Sequence, residues 1–195
     1  MMKKYFHKIK YNQAFTLVET LVAISVFSLS VIALMSVLAT GISDTVYAKK
    51  KITAAYLAQE GIEYVRNIRD TYTLYSATGA IGWAAFNTKM TGAGARCHQA
   101  NGCYLDDRDL NYGNQTQPMT GIYVIACGSS CAPLLYNSAT GKYGYAAGSD
   151  SGFVRKISVS LTSANETKVF STVSWTQGSG NYQITFSESL FNWVE

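Results

Sequence analysis

Histidine is almost missing from this chain, with His7 and His98 the two among 195 residues. Missing as well are a Gly-x-Ser-x-Gly turn, a glycine-rich phosphate loop and a pair of carboxylates on an evident cleft element. The residues therefore assemble no reaction centre, no cofactor site and no small-molecule substrate site, and the chain does not read as an enzyme. Acid is absent from the first eighteen residues, and neither Pro nor Gly occurs between Phe15 and Thr40. The excess of positive charge is also less than it looks. The formal net charge is +4, but Lys3, Lys4, Lys8 and Lys10 account for all of it, and beyond them twelve basic residues face twelve acidic ones. A balanced body gives no support for a nucleic-acid partner.

What is there is one apolar stretch, Phe15 to Leu38, reading FTLVETLVAISVFSLSVIALMSVL with the single charge Glu19. Fourteen of its residues are Phe, Leu, Val or Ile, worth together about −4 to −8 kcal/mol towards membrane insertion. One carboxylate costs on the order of 3 kcal/mol at mid-bilayer and less near a helix end. Insertion wins. As a helix the stretch is about 36 Å long, enough to cross a bilayer. The four leading lysines mark the cytoplasmic side, which predicts a single pass through the inner membrane with the C-terminal bulk outside. A cleaved secretory signal is the competing reading, but the run is too long for a signal core and Thr40-Gly41-Ile42-Ser43-Asp44 follows it, not a small-residue cleavage site.

A cut that frees the helix must then fall on its basic side, where Ala14-Phe15-Thr16-Leu17-Val18-Glu19 stands. These residues, behind a basic leader and opening a long apolar helix, resemble the processing site of type IV pilins and of the pseudopilins of type II secretion systems. The resemblance implies cleavage between Ala14 and Phe15 by a membrane prepilin peptidase, N-methylation of Phe15, and an assembly role for Glu19, which becomes the fifth residue of the mature chain. The family usually has Gly where this chain has the similarly small Ala14. The partners implied are the prepilin peptidase, other pilin subunits, the pilus assembly platform and the inner membrane, with a surface pilus as the final location. Tyr56 to Glu63 further resembles the matching part of minor subunits described as type IV pilus modification proteins. Many major pilins carry a Pro late in the apolar helix, and its absence here points to a minor subunit. A secretion pseudopilin shares every one of these motifs. An uncut, membrane-anchored binding domain is the third reading.

Beyond Gly41 the residues Tyr47, Lys51, Ala54, Ala55, Ala58, Gly61, Ile62, Val65 and Ile68 recur at three and four, a helical stripe for packing one face. The expected fold class is α+β and pilin-like: one helix from Phe15 to about Asp70, packed through its later half on a C-terminal antiparallel sheet. The expected organisation is a removed leader (1–14), a transmembrane and assembly helix (15–40), an amphipathic half (41–70) and a globular head (71–195). Small Ala54, Ala55, Ala58 and Gly61 allow a sheet to come close. Residues 71–121 read as a long connection with one short helix at Trp83, Phe86 and Met90. Strands are expected at 121–127, 153–161, 168–176 and 182–187, forming a meander, with 136–151 a Tyr- and Gly-rich loop.

Four cysteines in an oxidising compartment suggest two disulfides, and three connectivities are open. Cys97-Cys103 and Cys127-Cys131 are favoured, since each pair flanks a short loop. A zinc site from the same sulfurs and His98 is disfavoured, because neighbouring Cys97 and His98 do not easily aim at one metal. Asp106-Asp107-Arg108-Asp109 lacks the ligand spacing of a calcium loop and reads as a solvated turn. Lys49-Lys50-Lys51 reads as a solvated face just past the membrane.

Overall fold

A computed structural model describes residues 16–111 and 113–192. The chain divides into two compact units, Met1–Val46 and Tyr47–Glu195. Helix α1 (Leu17–Tyr75) contributes to both.

In the first unit α1 starts directly after Thr16, whose hydroxyl accepts from the Glu19 backbone N–H at 3.3 Å. Thr16 and Glu19 hold the two positions of a capping box, which favours a helix start here. From Leu17 to Val46 every residue but Val31 is exposed. Without Pro or Gly before Gly41, and with few residues that compete for backbone bonds, the helix runs unbroken.

The second unit is α+β. The remainder of α1 buries Ala54, Leu57, Ala58, Gly61, Ile62, Tyr64, Val65 and Ile68, a stripe at helical spacing that packs against the sheet. Helix α1 runs five residues past Asp70. There the Thr71 and Thr73 hydroxyls bond back to the Asn67 and Arg69 carbonyls, and Tyr72 packs against the core. Thr78 then caps α2 (Gly79–Thr91), accepting from Ile81 N–H at 3.2 Å. Trp83, Phe86 and Met90 of α2 join Ile62, Val65 and Ile68 in the larger of two apolar clusters. The helices meet closely at Gly82, where a Cβ would collide with the Tyr72 carbonyl.

Among the described residues the sheet has seven strands, all antiparallel: β1 (Cys103–Asp106), β2 (Tyr123–Ala126), β3 (Pro133–Asn137), β4 (Lys142–Gly144), β5 (Ser149–Ser163), β6 (Glu166–Gln177) and β7 (Gly180–Phe191). The long meander β5-β6-β7 is the one expected from sequence. Its alternation is strict in β6, where Thr167, Val169, Ser171, Val173 and Trp175 are buried and face the helix. Two segments differ from expectation. The stretch 71–121 is no mere connection: besides α2 it holds β1, which pairs with β2 and touches β5 at Cys103 and Ile157, and a single turn of helix, α3 (Gln117–Thr120). The stretch 136–151 is not one loop but contains the end of β3, β4 and the start of β5, with Leu135, Tyr136 and Asn137 paired to Gly144, Tyr143 and Lys142. Strands of three to five residues bury too few alternating side chains to stand out against turn-rich composition.

The sheet does come close to α1. A Cβ on Gly61 would lie 2.5 Å from Ser171 Oγ, 2.9 Å from Ile157 Cδ1 and 3.0 Å from Arg155 Cδ. Gly61→Ala is therefore expected to destabilise the folded head by about 1–3 kcal/mol through overpacking, against a gain in helix propensity of under about 1 kcal/mol. A urea melt followed by tryptophan fluorescence checks the sign.

Candidate functional site

Two places in the described residues carry concentrated chemistry, one in each unit. The first is the apolar helix face around Glu19. Five of its hydroxyl side chains are bonded within the helix: Thr20 donates to the Leu17 carbonyl at 2.9 Å, Ser25 to Leu21 at 2.8 Å, Ser30 to Val26 at 2.8 Å, Thr40 to Val37 at 2.9 Å and Thr45 to Gly41 at 2.8 Å. With these groups satisfied internally, the exposed surface of the segment is mainly hydrocarbon. Leu17 is 79% exposed and Phe27 70%, which is the reverse of a soluble core helix. This is one helix long and apolar enough to cross a membrane, and it fits a single-pass anchor for the C-terminal domain. Glu19 stands in its first turn, exposed, and no hydrogen bond or ion pair reaches its carboxylate among the described residues. Ala14 and Phe15 lie outside the described residues.

The second place is a cleft of about 800 Å³ in the head, between α1 (Thr53, Tyr56, Glu60, Tyr64), the turn after β1 (Asp107, Arg108) and the β3-β4 segment up to Ala147. Its floor is a hydrogen-bonded ion network. Arg155, on the inward face of β5 and 2% exposed, donates to the Glu60 carboxylate at 2.7 Å and to the Leu57 carbonyl at 3.2 Å. The guanidinium also lies 5.4 Å from the Tyr64 ring centroid. Tyr64 donates to Asp107 at 2.6 Å. Its phenol pKa is driven far above the ordinary value, first by burial and then by the neighbouring Glu60 charge; burial also raises that of Tyr145. A raised folded-state pKa means that stability is complete below the ordinary tyrosine value of about 10 and falls as pH climbs past it. The urea midpoint is thus expected to hold between about pH 7 and 9 and to drop above about pH 10, with Tyr64→Phe flattening the drop.

The acids of 106–109 do not form a solvated turn as a group. Asp106 is 1% exposed and takes Arg108 Nε at 2.7 Å, Asp107 takes Tyr64, and Asp109 takes the Tyr123 hydroxyl at 2.8 Å. Each carboxylate has its own partner, and no cluster of metal-ligating side chains forms among the described residues.

Cys97 is bonded to Cys103, and Cys127 to Cys131. The two bridges are neighbours, because Cys103 pairs with Ala126 in the β1-β2 ladder and Cys131 Sγ lies 3.8 Å from the Cys103 carbonyl. They pin the short β1-β2 ladder. Sequence reading missed the cross-links that tie α1 to the head: Arg155 with Glu60, and Arg66, which holds Glu188 of β7 at 2.6 Å and Glu63 at 2.8 Å. The available signal was a charge at an inward position of an alternating strand, Arg155 between Phe153 and Ile157.

The chain carries the prokaryotic N-terminal methylation motif, matched over residues 9–35. That span covers the end of the basic N-terminal segment, Ala14, Phe15, Glu19 and most of the apolar stretch. The match supports the type IV pilin and pseudopilin family, whose two branches share it, and a structural subunit before an enzyme. Neither the comparison with curated proteins nor that with solved structures finds a match.

Proposed function

We propose, starting from a chain that carries this methylation motif, that it is a structural subunit of a type IV pilus, a minor pilin made as a prepilin. A prepilin peptidase removes residues 1–14 by cutting between Ala14 and Phe15, and the new amino group of Phe15 is methylated. Residues 15–40 hold the protein in the inner membrane, and after extraction by the assembly platform they pack against the same segments of other pilins. Residues 41–70 form the amphipathic half that seats the head, 71–195, on the outer side.

The observation that carries this reading is the lone Glu19 carboxylate in the exposed apolar stretch of α1, inside the matched methylation motif and close to the proposed cut. Burial among other helices needs a counter-charge, and the cut supplies one in the amino group of Phe15. At about 4 Å and an effective dielectric near 20 such a pair gains about 4 kcal/mol, of the order of the burial cost it meets. Apolar side chains then supply adhesion, and the polar pair sets the axial register.

The test is fractionation of surface fibres. The proposed role expects the mature chain in sheared, washed filaments, and fewer or shorter fibres when it is deleted. Deletion that leaves surface fibres intact and blocks export of secreted proteins transfers the chain to the pseudopilins. A full-length chain confined to the membrane fraction favours an anchored binding domain and contradicts both.

A further inference from the structure

The head leaves one tyrosine in the open. Tyr56, on the α1 wall of the cleft, is 70% exposed, although Ala54, Leu57 and Ala58 beside it are buried. Among the described residues no ring contact or hydrogen bond holds it. Tyr143 of β4 also lines the cleft, and its ring is braced by Tyr136, 5.0 Å away between centroids, and edge-on by Phe153 at 6.2 Å. One ring is fixed and one is free. The cleft, about 800 Å³, has the size of an ordinary ligand site, about 300–1,000 Å³. A tyrosine at its mouth supplies contact area at small entropic cost, with about two torsions to immobilise.

The charges of the lining narrow the occupant. Glu60 and Asp107 stand against Arg108 and Lys142, and the partners behind them, Arg155 for Glu60 and Asp106 for Arg108, add one charge of each sign. A sum of zero favours neither a polyanion nor a cation. An alkyl chain would strip water from Glu60 and Asp107 and return no hydrogen bond. A peptide added as a strand needs a longer edge than the three residues of β4.

The lining does hold out preset polar groups. Asp107 accepts from Tyr64 through Oδ2 at 2.6 Å, and its Oδ1 has no partner among the described residues. A Cβ on Gly144 would stand 3.9 Å from that oxygen, so the glycine leaves room between β4 and the carboxylate. Asn137 Oδ1 takes the N–H groups of Ala139 and Thr140 at 3.0 and 3.3 Å, which leaves its amide nitrogen as a donor. A carboxylate and an amide beside two aromatic rings suit one chemistry: neighbouring hydroxyls on a ring with an apolar C–H face.

We propose that this cleft binds a neutral oligosaccharide. One pyranose lies between Tyr56 and Tyr143, with one hydroxyl donating to Asp107 Oδ1 and another accepting from Asn137. Tyr64 and the backbone already hold these two side chains, so little ordering is left for binding to impose. The site is complete within one head. It goes beyond the fibre assignment and needs no particular arrangement of copies.

The test uses the full chain in lauryldimethylamine oxide, since glycoside detergents would compete, on an array of neutral, sialylated and sulfated glycans. Binding should be confined to neutral glycans, and titration calorimetry with the strongest of them gives Kd. Tyr56→Ala, at an exposed position, should raise Kd about five-fold or more. Asp107→Asn, which keeps an acceptor for Tyr64, should raise it about ten-fold or more. Ser158→Ala, on the outer face of β5, should leave it unchanged. Should Asp107→Asn lose its native circular dichroism, Tyr56→Ala decides alone. Absence of binding to every neutral glycan overturns the proposal, as do stronger binding to acidic glycans and an unchanged Kd in folded Tyr56→Ala. A protein or lipid occupant would give the first of these outcomes. Because the assay reads the purified chain, its failure leaves the fibre assignment standing, and failure of that assignment leaves the cleft's result standing.

Discussion

Glu19→Ala should leave the protein in the membrane at normal abundance and remove it from filaments. The variant helix is, if anything, more apolar: deleting a carboxylate that costs on the order of 3 kcal/mol at mid-bilayer cannot weaken insertion. What it removes is the partner for the amino group of Phe15. In a helix bundle that amine would then be buried without a counter-charge, a situation that costs several kcal/mol. Because Glu19 is the one acidic residue between Thr16 and Ser43, no nearby side chain of the described apolar segment replaces its charge. At about 1.4 kcal/mol per factor of ten, a loss of even 3 kcal/mol per subunit lowers incorporation by more than a hundred-fold. Quantitative immunoblots of membrane and sheared-fibre fractions read this directly. Glu19→Gln, which keeps the size and loses the charge, should behave like the alanine variant. Normal incorporation of either would remove the pairing role.

The second large effect lies in the head, and its sign depends on which partner of one ion pair is removed. Glu60→Ala strands the Arg155 guanidinium, 2% exposed, with the Leu57 carbonyl and the Tyr64 ring for company. Breaking a fully buried pair costs about 3–5 kcal/mol, and with the Glu60 side chain 39% exposed the lower end of that range is expected. Arg155→Met instead takes away the buried charge and fills most of its volume, while Glu60, on the cleft side, turns to water. That substitution should cost about 1 kcal/mol or be neutral. Urea melts of the two variants should therefore differ by at least 2 kcal/mol, with Glu60→Ala the weaker. Equal losses would mean that the network acts through packing, not charge.

Much of this was legible in the residues. The apolar stretch, its lone acid and the basic segment before it are consecutive in sequence, so the membrane-length helix and the methylation motif could be read without any tertiary information. The stripe from Ala54 to Ile68 and the alternation in 167–175 are long enough for their period to show. Trp83, Phe86 and Met90 marked α2 in the same way. Legibility failed where structure depends on contacts distant in sequence. β1 is a strand because Cys103 to Asp106 finds β2 and Ile157, and four residues with mixed polarity do not announce that. The acids at 106–109 read as a solvated turn because Asp107 and Asp109 find their partners, Tyr64 and Tyr123, on other elements. Arg155 sits inward because Gly61 has no side chain to exclude it, a complementarity spanning ninety-odd positions.

Mass spectrometry of the N-terminus of the mature protein, purified from the membrane and from fibres, tests the central claim most directly. The account predicts a chain that begins at Phe15 and carries one methyl group on its amine, with the segment 1–14 gone. A fibre-borne polypeptide that still begins at Met1 or Met2 would contradict it.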